Sequence, residues 1–258
     1  MVRHGVLILA GAVLLSACGS PEAESGQGTT PSPTASPTTE STPSPSSAPQ
    51  TPEQEWSSAL STTTGQATVE AQLLTNVEGF ERIVAGEGTV QPANGYGDIT
   101  WSDELATTRE LQTVDGHFLE LDGTWFLLDG ETGVPTKVGF TPLAGLESAT
   151  NVIRVGEEEV VGVSATRFDA NHDPNAGPAT MGFSGEELTV VNDATDASLV
   201  ATIWIDDAGR IVRVLREYSA SSPDSDPISA TTLYLLSNFT EPTPIEVPET
   251  ANAIPAPA

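Results

Sequence analysis

The amino-acid sequence predicts an α+β domain in which antiparallel strands dominate and a few helices lie on one side of the sheet. Three observations carry that prediction. Asp-Gly recurs every seven residues, at Asp115-Gly116, Asp122-Gly123 and Asp129-Gly130, and this dipeptide is a strong hairpin-turn signal. Val69, Ala71 and Leu73 alternate with Thr68, Glu70 and Gln72, the period of a half-buried strand. Helix signals are confined to two short stretches, and helices segregated to one face of an antiparallel sheet satisfy both.

From the start of the chain, residues 1–17 read as a signal peptide. Arg3 and His4 form a short polar start, and Val6 to Leu15 is an apolar run of ten residues. A membrane-spanning helix needs roughly 20. Small residues follow, then Cys18, the only cysteine in the chain. An unpaired cysteine in an exported protein otherwise has no evident use. Residues 18–52 continue as a Ser/Thr/Pro-rich tether, with Thr30-Pro31-Ser32-Pro33 and Thr42-Pro43-Ser44-Pro45 typical of its texture. Such a stretch buries no apolar area and is expected to stay disordered, with a coil span of roughly 30 Å.

Residues 53–250 suit one domain large enough for a sizeable core, and residues 251–258 read as a disordered tail. Thr51-Pro52-Glu53 opens a short helix carrying Trp56 and Leu60, since Thr caps and Pro suits the first turn. Asn94-Gly95 is a hairpin turn. Between the Asp-Gly pairs, residues 117–121 and 124–128 form a tight meander. Thr141 and Pro142 open a second predicted helix over 142–149, with Leu143 and Leu146 on one face. Val200 to Ile205 and Arg210 to Tyr218 flank the turn Asp206-Asp207-Ala208-Gly209, and Leu233 to Phe239 is the last predicted strand.

The charge balance is extreme. Without the signal peptide, eight basic residues stand against 36 acidic ones, a net charge of −28. A surface of this sign repels phosphates, which argues against nucleic acid as a partner and against docking on anionic lipid headgroups. Nor does the sequence present catalysis. Gly182-Phe183-Ser184-Gly185 is followed by Glu186, which breaks the nucleophile-elbow pattern. His117 and His172 lack triad surroundings, and His117 is expected as a rim or core residue of a strand. No His/Cys grouping suits zinc. Asp169, Asn171, Asp173 and Asn175 have the spacing of early calcium-loop ligands, but Pro174 stands where glycine is required and Thr180 where a bidentate Glu is. No metal or cofactor is expected.

Several motifs carry a resemblance. Leu15-Ser16-Ala17-Cys18 resembles the bacterial lipobox. The run from Ala149 through Gly156-Glu157-Glu158-Glu159-Val160 to Thr166-Arg167-Phe168 is similar to actinobacterial LppX/LprG-type lipoproteins. So are the hairpin Ile203-Trp204-Ile205-Asp206-Asp207-Ala208-Gly209-Arg210-Ile211-Val212-Arg213 and the ending Phe239-Thr240-Glu241-Pro242 through Val247-Pro248. The resemblance implies the LolA/LolB-like carrier fold, a strongly bent antiparallel half-barrel with helices packed on its concave face around an apolar cavity. It further implies acylation of Cys18, a lipid-anchored place on the extracytoplasmic face of the cell membrane, and a lipid or glycolipid ligand held or carried through the envelope without catalysis. Phe118, Trp125, Leu127, Leu143, Leu146 and Trp204 are the expected cavity-lining residues. The competing expectation is an interaction module without a cavity that binds an envelope protein partner.

Overall fold

The structure, a computed structural model, describes residues 49–77, 80–103, 106–128, 141–176, 181, 191–222, 225–247 and 254–255. Its first element, α1, spans Pro52–Thr62. The Thr51 hydroxyl accepts from the Gln54 amide at 3.4 Å, while Gln54 Oε1 accepts from the Thr51 amide at 3.0 Å. This reciprocal box satisfies two donors that a helix start otherwise leaves free. Trp56 and Ala59, three residues apart and hence on one face, are its buried residues.

Two antiparallel meanders follow. The first comprises β1 (Gln66–Val77), β2 (Phe80–Gln91), β3 (Tyr96–Ser102), β4 (Thr107–Thr113), β5 (Gly116–Leu121) and β6 (Thr124–Leu128). The second comprises β7 (Thr150–Val160), β8 (Val163–His172), β9 (Asp196–Asp206), β10 (Ile211–Ser222) and β11 (Ser225–Thr240). Pairing of β1 with β11, through registers such as Val69↔Leu236 and Ala71↔Tyr234, fuses them into one sheet. The order β6-β5-β4-β3-β2-β1-β11-β10-β9-β8-β7 leaves β6 and β7 on opposite edges, so the curved sheet does not close. Ile254–Pro255, in the predicted tail, forms β12, a two-residue parallel partner of β6.

Turn chemistry accounts for the hairpins. Asp122 and Gly123 have φ of 50° and 76°, the left-handed pair that matches strand twist. In the β9–β10 turn, Asp206 Oδ1 accepts from the Ala208 and Arg210 amides at 3.0 and 2.8 Å. The Asp129-Gly130 turn and Ser184 lie outside the described residues. At Gly86 the indole of Trp101 on the neighbouring strand lies where a Cβ would stand, so the ring packs flat over the glycine.

The sheet buries residues on both faces. Its helix-bearing face gathers Val69, Ala71, Val84, Ile99, Trp101, Phe168, Ile203, Val214, Tyr234 and Leu236 with Trp56 and Ala59 of α1 into the main core. On the far face, Leu111, Phe118 and Trp125 are covered by Ile245 and Val247 from the segment after β11. That segment is held by Gln91 Nε2, which donates to the Thr243 carbonyl at 2.7 Å, and by Gln66 Oε1, which accepts from both the Thr243 amide and hydroxyl at 2.9 Å.

One predicted element differs. Residues 142–149 form a turn and a three-residue 3₁₀ helix, Leu146–Ser148, rather than an α-helix. Gly145 interrupts it with φ of 76°, and the carbonyls of Pro142, Ala144, Gly145 and Leu146 accept from side chains of distant elements, the last two alongside local bonds from Ser148 and Ala149. This strap leads into β7.

Val161 also stands in the left-handed region, with φ of 50°, and is 78% exposed at the tip of the β7–β8 hairpin. A β-branched residue gains nothing there to offset the strain. Val161→Asn is therefore expected to stabilise the fold by about 1 kcal/mol, raising the thermal midpoint by roughly 2–4 °C in calorimetry.

Candidate functional site

The helix-bearing face of β8, β9 and β10 is laid out by register. His172, Leu199 and Tyr218 form one cross-strand row, Ala170, Ala201 and Arg216 the next, and Phe168, Ile203 and Val214 a third. The third row belongs to the main core. Leu199 and Tyr218 belong to a second apolar cluster, with Met181, Val191, Ala220, Ile228 and Ala230. Between the two clusters lies a polar seam. Arg216 is only 2% exposed, beside Thr232 on β11, and His172 is 7% exposed. Small neighbours, Ala170 and Ala201, leave room for the long arginine to lie across them.

The seam and α1 together grip the strap. Arg216 Nη2 donates to the carbonyls of Pro142 and Ala144 at 2.7 and 2.8 Å. His172 Nδ1 lies 3.1 Å from the Gly145 carbonyl, and Trp56 Nε1 donates to the Leu146 carbonyl at 2.9 Å. The indole and imidazole rings sit 5.9 Å apart, tilted. Burial pushes the Arg216 guanidinium below its usual value, partly offset by Tyr234 and Glu147. Burial likewise pushes His172 down, opposed by its bond to the Gly145 carbonyl and reinforced by the charge of Arg216.

The predicted lining residues separate onto two faces. Leu143 and Leu146 lie on the helix-bearing face, in the main core. Phe118, Trp125 and Leu127 lie on the far face, the first two under Ile245 and Val247 and Leu127 37% exposed. Trp204 is also on the far face. Its Nε1 donates to Glu158 at 2.8 Å, and the guanidinium of Arg213 stacks 4.2 Å from its ring. Sheet alternation therefore keeps these six residues from lining one common space.

The calcium-like spacing does not produce a loop. Asp169 and Asn171 are in β8, and the Asp169 carboxylate is taken by Arg167 at 2.9 and 3.1 Å and by Thr202 at 2.9 Å. Asp173 accepts from the amide and side chain of Asn175. His117 lies 3.3 Å from the buried Glu110. Among the described residues no group of three or more His, Cys, Asp and Glu could hold a metal, and no helix is long and apolar enough to cross a membrane. A separate cleft of about 310 Å³ opens on the far face between Val160, Val161 and Val163 on one side and Val212, Leu235 and Phe239 on the other.

The chain is similar to the lipoprotein LprF from Mycobacterium bovis, with 15% identity over 78% of this chain and 97% of that one and a TM-score of 0.48. It is similar to the lipoprotein LppX from Mycobacterium tuberculosis, with 17% identity over 74% and 96% and the same TM-score of 0.48. These are lipoproteins of the type that the sequence motifs resemble. A more distant likeness is to the MucA/MucB complex from Pseudomonas aeruginosa, with 9% identity over 72% and 93% and a TM-score of 0.28. Neither a protein-family model nor a curated protein sequence matches the chain.

Leu146 is 1% exposed and packed in the main core with Trp56. Leu146→Trp is accordingly expected to destabilise by about 1–3 kcal/mol through overpacking, read as a lowered urea midpoint. His172 supplies a pH test. Its folded value lies below the unfolded one near 6.5, so the unfolded chain binds the extra proton and stability falls as pH drops below about 6.5. Arg216 and Glu147 are the charged groups acting on it. Denaturant titrations at pH 7.5 and 5.5 should show that loss in the parent and a smaller one in His172→Gln.

Proposed function

We propose that the chain is an extracytoplasmic lipoprotein, anchored in the cell membrane through acylated Cys18, that binds an acylated lipid or glycolipid and holds or carries it through the envelope without catalysing a reaction. In this reading the curved sheet is a half-barrel whose concave face bears α1 and the strap, and the ligand's chains lie beside the strap, away from the packed Leu146. One observation supports this most directly. The helix-bearing face is apolar across many strands, yet it is divided into two clusters by a polar seam and crossed by a strap without regular helix. An acyl chain placed there would contribute about 0.8 kcal/mol per buried methylene. The lipobox spacing at Leu15–Cys18 supports the anchor.

A second reading has its own observation. The far-face cleft is walled by valines and by Leu235 and Phe239, and beside it Val161 and Val163 are 78% and 43% exposed. That surface suits an apolar segment of an envelope protein partner.

Native mass spectrometry of the full chain, purified from a bacterial membrane in mild detergent, tests the main reading. Lipid is expected to co-purify beyond the mass added at Cys18. Labelled fatty acid should enter the parent, whereas Cys18→Ser should remain unlabelled and leave the membrane fraction. Lipid-free protein that captures no acyl probe would move the assignment to the interaction module.

A further inference from the structure

Arg216 and His172 use one nitrogen each to hold the strap, and each has another nitrogen with nothing to bond. Arg216 Nη1 and His172 Nε2 are both buried and without a hydrogen-bond partner. Buried polar atoms in native proteins are nearly always satisfied, and a buried guanidinium without a carboxylate is costlier still. The contrast within this chain is sharp. With 36 acids against nine basic residues, exposed or half-exposed arginines such as Arg109, Arg167 and Arg210 each hold an aspartate at 2.7–2.9 Å. The fully buried arginine has no ion pair among the described residues. Glu147 acts on it only through space. Among the described residues, the most buried cation is held by carbonyls and the Tyr234 ring rather than by an acid.

The two free nitrogens have complementary chemistry. Nη1 is a donor carrying positive charge. The Gly145 carbonyl can only accept, so Nδ1 of His172 carries the ring proton and Nε2 of the neutral imidazole is an acceptor. The two side chains stand in adjacent cross-strand rows and bond the consecutive strap carbonyls of Ala144 and Gly145, which places them in one neighbourhood. On either side lie apolar clusters, with Val214 and Tyr234 toward one and Tyr218, Leu199 and Met181 toward the other.

We propose that this seam seats the head group of an acyl ligand that presents an acidic oxygen to Arg216 Nη1 and a hydroxyl hydrogen to His172 Nε2, with its chain lying in the apolar clusters beside it. Two kinds of head group can present that chemistry, a hydroxylated carboxylate and a phosphate monoester bound as its monoanion, which keeps one P–OH. The inference rests on the lipid-binding reading and narrows its ligand.

Displacement of a fluorescent neutral acyl probe from the delipidated full-length chain, at pH 7.5, tests it with four competitors of equal chain length: 3-hydroxypalmitate, palmitate, hexadecyl phosphate and monopalmitoylglycerol. The first or third is expected to bind about ten-fold or more tightly than the glyceride, the worth of one charged hydrogen bond; which of the two is tighter identifies the source. Palmitate should fall between 3-hydroxypalmitate and the glyceride. Arg216→Met should abolish the preference for acid over neutral head groups, and His172→Phe the preference for 3-hydroxypalmitate over palmitate. The head-group ranking of the unsubstituted protein stands even where Arg216→Met fails to fold. Equal affinity for all four, or a preference for the glyceride, would overturn the inference while leaving lipid binding intact. Failure of the fluorescent probe and of every competitor to bind would instead remove the lipid-binding reading on which it rests.

Discussion

The capture of four strap carbonyls by side chains is the interaction on which the rest of this structure depends. The strap lies against an apolar face of the sheet, with Leu143 and Leu146 in the main core. Its backbone carbonyls then lose water and need donors. Regular helix would supply them internally, but Gly145 breaks any helix there. Arg216 of β10 supplies them to Pro142 and Ala144, while His172 of β8 and Trp56 of α1 add to the local bonds at Gly145 and Leu146. The buried polar seam is thus the condition for crossing the core, and its position divides the apolar interior in two.

The far face solves a different problem with the same economy. Strands with both faces buried need cover on each, and the far side of β4–β6 has no helix over it among the described residues. The segment after β11 covers Leu111, Phe118 and Trp125 instead, tied down by Gln91 and Gln66. Toward β8–β11, stacked and paired side chains do the covering. Trp204 is fixed by Glu158 and sandwiched near Arg213 and Arg167, and Arg210 lies 4.6 Å from the Phe239 ring. Here arginines act through their flat apolar faces as much as through charge.

What was legible in the sequence was what local chemistry decides. Asp122-Gly123 marked its turn because two adjacent left-handed residues are needed there, and Thr51-Pro52 marked α1 because capping is local. The strap was misread because Leu143 and Leu146 have helical spacing, while the donors that unwind it lie more than twenty residues away along the chain. The lining residues were misplaced for a related reason. Alternation shows that Phe118 and Leu119 point oppositely, but only the register of neighbouring strands tells which face receives α1. The seam left one trace: Val214, Arg216 and Tyr218 share a phase in β10, so an arginine stands in an inward row. Nothing local says that its partners are carbonyls.

The join between β1 and β11 has a kinetic side. Ten registered pairs there link residues about 155 to 175 positions apart in sequence, and contacts so distant are closed late, after most of the loop entropy has been lost. A chain emerging from its amino end presents β1 early, with one edge unpaired until residues 225–240 arrive. During that interval the two meanders are separate half-sheets with open edges, the arrangement most prone to wrong pairing. Correct pairing is therefore favoured by conditions that keep the chain unfolded until its last strand is present, and a truncation before β11 would leave two unjoined half-sheets rather than a smaller version of the fold.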